Sequence, residues 1–396
     1  MSSVTTQPGL AAALREVLRH GMTVALGDGA GTVRELEDGT SGCGALSAVA
    51  REIGSVRLVL GWAPATLHGL EADAFSEVLA LVPSGPVRTV LRSASARFVP
   101  SRLSALPALL AGPLRPDVLI TRLVERGGQL RFGTEVSYQR ALVDSGIPIL
   151  AVVDDKGPSA SADGGVDSAR TRVIGHTGDG PAHVHREPEP LHDALADAVL
   201  RFVHEGSRLQ YGPGQLGTAL LRRAAVPLRI DTGMLTDAVV DLERNGMLIG
   251  EPSATYLLGT DVLYDWADGR QILRGIDHTH DLTRLSRGEP FVAVNTAIEI
   301  DPYGQINVEG VGDKLVGGIG GHPDYCAAGR MSSGGLSIIA VPSKTGGRSP
   351  LVEHLSRPAS TPAHDVDLIV TESGHADLRG AGWPQRRRLI ADLFEN

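Results

Sequence analysis

Cysteine is nearly absent: the 396 residues contain only Cys43 and Cys326. Two thiols cannot build a disulfide framework, so packing must hold the fold, and free thiols fit a reducing, cytoplasmic setting. An excess of positive charge is also missing. The net charge is −9 and the isoelectric point about 5.8, which leaves no broad basic surface of the kind that neutralises nucleic-acid phosphates. No apolar run reaches membrane-spanning length. The start, Met1 to Pro8, has neither a basic nor an apolar leader segment, so no secretory leader is expected. What is present is ordinary globular composition, 42% hydrophobic and 21% charged, on a chain long enough for two to three domains with a sizeable core.

Strand and helix patterns alternate along the chain. Helical spacing over Leu10 to His20 stops at Gly21, and Thr23 to Leu26 reads as a short buried strand running into Gly27-Asp28-Gly29-Ala30-Gly31. Val56 to Leu60, Asp117 to Ile120 and Ile149 to Val153 are apolar runs of strand length. Continuous runs of this kind favour a parallel sheet covered on both faces. Lys156 to Pro190 is rich in Gly, Ser, Asp, Pro and His and reads as a linker or an excursion between domains. The alternation then restarts. A helix is expected over Leu191 to Val203, a strand over Arg208 to Tyr211 into Gly212-Pro213-Gly214, a helix over Gly217 to Ala225 and a strand over Val226 to Ile230. Later strands are expected at Phe291 to Val294, Ser337 to Val341 and Asp367 to Val370. The reading is α/β: two tandem domains with mainly parallel open sheets, spanning 1–185 and 186–396.

Several ordered motifs carry a family resemblance. Arg229-Ile230-Asp231-Thr232-Gly233-Met234-Leu235-Thr236-Asp237 through Leu242, Ala293 to Asp301 with Gly304-Gln305, Gly317-Gly318-Ile319-Gly320-Gly321-His322-Pro323-Asp324-Tyr325, Ser333 to Ser343, and Val370 to Gly380 resemble stretches of the acetyl-CoA hydrolase/CoA-transferase family. Within that family the chain resembles the acetate/4-hydroxybutyrate CoA-transferases. The family patterns are Asn-Ser-Ala-Ile-Glu-Val-Asp with Gly-Gln, a glycine-rich loop ending in Asp-Phe, Lys-Gly-Gly-Lys-Ser-Ile-Ile-Ala-Leu-Pro-Ser, and Val-Thr-Glu-Tyr-Gly-Ile-Ala-Asp-Leu-Arg-Gly. The first half matches more loosely, at Phe98 to Pro107 and Phe132-Gly133. The resemblance implies an active site in the cleft between two α/β domains, a CoA thioester as substrate and a small carboxylate as possible co-substrate. It also implies a glutamate nucleophile that forms an acyl anhydride and then a glutamyl-CoA thioester. A homo-oligomer is expected, or pairing with a related subunit; neither a metal, nor nucleic acid, nor a membrane is.

The resemblance puts that glutamate at the position of Gly233, and glycine offers no carboxylate. Changed chemistry and lost chemistry (a degenerate paralogue or an engineered substitution) weigh equally. If the chemistry has changed, water is the expected nucleophile, attacking a thioester or a carbon–carbon bond of the acyl part. Two bases are then in question. His322, read as a loop residue facing the cleft, has the right intrinsic pKa, although a surface histidine is nearly as plain a reading. Asp231 shares a face with position 233 if the segment is extended, although such an aspartate more often caps the next helix. Gly320 and Gly321 are expected beside the reacting carbonyl as oxyanion donors. Gly317, Gly318, Gly212, Gly214 and Asn295 are expected to hold the coenzyme. Glu299, Glu372 and Asp377, the last paired with Arg379, read as architectural. Asp277-His278-Thr279-His280-Asp281 imitates a metal cluster on a strand but lacks a third ligand motif. His183 and His185 sit in the linker, Arg386-Arg387-Arg388 reads as a solvated helix face, and Cys326 is a remote candidate nucleophile that only His322 could activate.

Overall fold

Strand-forming apolar runs and intervening helices build two sheets in a computed structural model that describes residues 9–36 and 39–395. The reading of Met1 to Pro8, which expects no leader there, falls outside those residues. The chain divides into two compact units. One comprises 1–100, 105–183 and 267–275, and the other 101–104, 184–266 and 276–396.

The first unit holds eight strands: Thr23–Leu26 (β1), Arg57–Leu60 (β2), Glu77–Ala80 (β3), Ala96–Phe98 (β4), Val118–Arg126 (β5), Gln129–Arg131 (β6), Ile149–Asp154 (β7) and Thr171–Thr177 (β8). Their order is β4-β3-β2-β1-β5-β7-β8, all parallel, with β6 antiparallel to β5. Both faces are covered, which is why Val24, Leu58, Val78, Val118 and Val152 are fully buried. The supposed linker is corrected here. Its residues 171–177 form β8, a full member of the sheet, mostly half-buried without a two-residue period, which hid it among Gly, Ser and Asp.

The crevice where the strand order reverses, between β1 and β5, is where ligands settle in open α/β sheets. In this unit protein side chains fill it. Asp28 accepts from the Gln139 amide at 3.2 Å and from the Ser137 hydroxyl at 3.0 Å. Glu135 takes hydrogen bonds from Gly31 N–H at 3.0 Å and the Thr134 hydroxyl at 2.6 Å. A Cβ at Gly29 or Gly31 would lie 2.5 or 2.6 Å from the Glu135 carboxyl. The loop is glycine-rich because a buried carboxyl presses against it.

The second unit's sheet combines Arg208–Tyr211 (β9), Arg229–Ile230 (β10), Phe291–Asn295 (β13), Leu336–Ala340 (β18), Leu368–Val370 (β19) and His375–Asp377 (β20). Three two-stranded pieces supply the remaining numbers: Met234–Leu235 (β11) with Tyr256–Leu257 (β12), Glu299–Ile300 (β14) with Ile306–Asn307 (β15), and Gly310–Val311 (β16) with Lys314–Leu315 (β17). The large sheet runs β10-β9-β13-β18-β19-β20, parallel except for β20. Its reversal lies between β9 and β13. Among the described residues no helix is long and apolar enough to cross a membrane.

The C-terminal helix Trp383–Glu395 corrects the reading of the arginine triplet. Arg386 is buried and donates to the carbonyls of Ala363 at 2.6 Å, Tyr303 at 3.1 Å and Leu378 at 3.3 Å. Arg387 and Arg388 are exposed, and Arg387 stacks on the Tyr303 ring at 5.2 Å. Replacing Arg386 by Ala strands three carbonyls and is expected to cost about 3 kcal/mol. Arg388→Ala is expected to stay within about 0.5 kcal/mol of the parent; urea denaturation of both variants checks the contrast.

Candidate functional site

At the second unit's reversal, β9 ends in Tyr211 and passes through Gly212 to Gly214, the N-cap of helix Gln215–Arg223. No heavy atom lies within 4 Å of a Cβ built on Gly212 or Gly214, whereas at Gly217 it would sit 2.0 Å from the Gly212 carbonyl. Gly217 is thus the glycine that the tight turn demands. Asn295, at the end of β13, exchanges hydrogen bonds with Gln210 at 3.0 and 3.4 Å. Its amide is spent within the sheet, which makes it a positioning group there.

Asp231 follows β10 and is buried. Arg284 grips both carboxylate oxygens, at 2.7 and 2.8 Å, and Arg208 approaches at 3.5 Å. The expected helix cap or free base is therefore replaced by an ion-paired group. Two residues on, the Gly233 carbonyl accepts from the N–H groups of Thr255 and Tyr256, both at 3.1 Å. The Gly233 Cα faces a polar niche. A Cβ there would lie 3.2 Å from Tyr325 Oη and 3.7 Å from His280 Nε2. Tyr325 and His280 are 3% and 1% exposed, and neither Oη nor Nε2 has a hydrogen-bond partner. Their rings pack at 4.7 Å between centroids. Buried polar atoms without partners are costly, and here two of them face the Gly233 Cα together. Gly321 fits the same corner: its Cβ would strike His280 Nε2 at 2.5 Å.

Burial sets the charge of these groups. It pushes the Tyr325 hydroxyl well above its usual range, helped by Asp231 and Asp324, so it stays a donor. It pushes His280 down to about 3, helped by the Arg284 charge. His280 is therefore neutral, with Nδ1 placed 2.9 Å from the Thr279 hydroxyl.

His322 is not in a loop. It opens helix His322–Met331 and is buried. Nδ1 lies 2.7 Å from the Thr361 hydroxyl and Nε2 donates to the Thr296 carbonyl at 2.9 Å. Burial lowers its pKa to about 4. Both nitrogens are occupied, so it braces the end of β13 and is not poised as a base. Cys326 lies 3.5 Å from it, but burial lifts the thiol to about 12 and keeps it protonated. Of the glycine run, Gly317 gives its N–H to the Glu309 carbonyl at 3.0 Å, which removes it as a coenzyme donor. Gly318 precedes the bend, and Gly320 takes the left-handed conformation, φ +59°, with open space around its Cα. Glu299 is architectural, accepting from Asn307 at 2.7 Å and Ser356 at 2.8 Å. Glu372 accepts from the Ser343 N–H at 2.9 Å, and Asp377 pairs with Arg379 at 2.7 Å. The Asp277 to Asp281 stretch is the short helix Ile276–Thr279 and its exit, not a strand. Its neighbouring histidines therefore do not share a face. Among the described residues no group of three or more His, Cys, Asp or Glu could hold a metal.

Residues 259–393 match the acetyl-CoA hydrolase/transferase C-terminal domain. That stretch of the chain carries the C-terminal domain of the acetyl-CoA hydrolase/CoA-transferase family. It is 26% identical over 339 residues to the 4-hydroxybutyrate coenzyme A transferase of Clostridium kluyveri, covering 79% of this chain and 78% of that one. It is 29% identical over 203 residues to the acetyl-CoA hydrolase of Candida albicans, covering 46% of this chain and 37% of that one. The structure of RipA from Yersinia pestis superposes with a TM-score of 0.86 at 21% identity, over 98% of this chain and 93% of that one. That likeness concerns the fold.

Within this family of enzymes, the niche residues were the ones hardest to pick out. Tyr325 stands where the resembled pattern has Phe, and that extra hydroxyl was the available signal. His280 was legible only as part of an apparent metal cluster, and Arg208 and Arg284 gave no signal. The buried histidines carry a pH consequence. In the unfolded chain they titrate near 6.5, in the fold only near 3 and 4. Between those values the unfolded state binds more protons, so stability falls as pH drops from about 6.5 toward 4. His322→Gln is expected to flatten that slope, as read from urea midpoints across the pH range.

Proposed function

We propose that this chain hydrolyses an acyl-CoA, using an attacking oxygen that it does not itself supply. The observation behind this reading is the niche at Gly233. No carboxylate side chain is there to attack, yet two buried polar atoms, Tyr325 Oη and His280 Nε2, point at the vacant position without partners. Such atoms hold a ligand oxygen in place at little reorganisation cost. The loops around Gly212, Gly214, Gly320 and Gly321 remain the proposed contacts for the coenzyme and the oxyanion, because their Cα atoms are open or border the niche, and Gly318 stays a proposed coenzyme contact by its place in the same run.

Transfer between carboxylates through an enzyme anhydride is the weaker reading. Asp231 is the carboxylate two residues from position 233, and Arg284 engages both its oxygens. A carboxylate so engaged is held as structure and is a poor nucleophile.

The test follows free thiol released from a panel of acyl-CoA thioesters, with and without millimolar acetate, and the acyl-CoA mass in parallel so that carbon–carbon cleavage is seen. The parent protein is expected to consume at least one acyl-CoA without a covalent enzyme–CoA adduct. Gly233→Glu is expected to accumulate that adduct. If the parent leaves every acyl-CoA intact in both buffers, the hydrolase reading fails.

A further inference from the structure

Water held at Gly233 would need a base, and the niche has none free. His280 and His322 are held neutral with depressed basicity by burial. The Tyr325 hydroxyl keeps its proton. Asp231 is occupied by Arg284 and Arg208. The niche is instead suited to an anion. Tyr325 Oη carries an O–H that can donate to an anion, and the neutral His280 ring can present an N–H at Nε2 when the Thr279 hydroxyl donates to Nδ1. Behind them stand two guanidiniums against one carboxylate, Arg208 and Arg284 against Asp231. Asp324 adds a second carboxylate toward the Tyr325 hydroxyl and Glu289 one toward Arg208, so an anion would be held by the two partnerless polar atoms beside Gly233, not by an excess of positive charge.

We propose that the niche beside Gly233 is a receptor for a small free carboxylate, of formate to propanoate size, which attacks the acyl-CoA in place of a protein side chain. The size follows from the chemistry of the position: a glutamate there would differ from glycine by CH2–CH2–COO−. This proposal rests on the hydrolase reading and names its nucleophile. A carboxylate oxygen forms a bond to the thioester carbonyl carbon. The tetrahedral oxyanion collapses, the C–S bond breaks, and CoA leaves as thiolate and takes a proton from solvent. The free mixed anhydride then adds water and splits into the acyl acid and the original carboxylate, releasing two protons. The carboxylate needs no base because it is already ionised, and it is regenerated.

Two measurements on the full chain test it. The first is binding without turnover: acetate is titrated into the protein while the imidazole resonances of His280, assigned with a His280→Gln variant, are followed by NMR. A saturable shift at millimolar acetate is expected, weakened about tenfold in Tyr325→Phe, which removes one hydrogen bond worth roughly 1.4 kcal/mol. It is expected to vanish in Gly233→Glu, whose own carboxylate fills the niche. Absence of a saturable shift overturns the receptor, whatever the activity. The second uses 18O-labelled acetate during turnover. Attack by acetate carries label into the released acyl acid; attack by water does not. Acyl-CoA consumption with no acetate dependence and no label leaves the hydrolase reading standing and overturns this one.

Discussion

The ion pair between Asp231 and Arg284, with Arg208 behind it, is the constraint on which the rest of the site depends. Arg208 lies on β9, Asp231 just past β10 and Arg284 in helix Leu282–Leu285. Arg208 also donates to the carbonyls of Leu285 and Arg287, at 2.6 and 2.5 Å. Arg284 donates to the His278 carbonyl at 2.8 Å. One carboxylate therefore ties two strand ends to the segment that carries His280. Gly233 follows Asp231 by two residues, so its distance from His280 is set by this clamp. A buried ion pair adds little net stability, but losing one partner leaves a bare buried charge. That asymmetry makes the geometry rigid.

Close approach, more than phosphate binding, explains several of the glycines. Gly29 and Gly31 leave room for the Glu135 carboxyl, Gly217 for the Gly212 carbonyl and Gly321 for the His280 ring. Gly212, Gly214 and Gly320 differ, since nothing crowds their Cα atoms. A run of glycines in a sequence is the same signal for both cases, and only the neighbours decide between them. In the first unit the reversal of the sheet is filled by Gln139, Ser137 and Asp28. In the second, the reversal between β9 and β13 has open Gly212 and Gly214 at its mouth.

Much of the fold was legible because its strands are continuous apolar runs. Those expected at 23–26 and 208–211 are observed as such, and those expected near 56–60, 149–153 and 291–294 shift by a residue at one end. The runs that escaped are short or mixed. Ala96–Phe98 has no buried residue, and Thr171–Thr177 is half-buried amid linker-like composition. His322 was misplaced because four glycines precede it, yet Pro323 directly after it is an ordinary first-turn signal for a helix. The niche lies beyond any local pattern. Gly233, His280 and Tyr325 are separated by dozens of residues, and only tertiary packing brings them together.

Glycine at 233 and tyrosine at 325 suit the proposed chemistry as a pair. Glycine alone would leave a small apolar gap, and a gap lined by carbon stays dry and inert. A phenylalanine at 325 would line it with carbon. The tyrosine hydroxyl, 3.2 Å from where a Cβ would stand, turns the gap polar. That hydroxyl has no protein partner, and satisfying it requires an oxygen from outside. A scaffold that takes its nucleophile from solution needs a donor at that point, because a free anion must be held against the reacting carbon without a covalent tether.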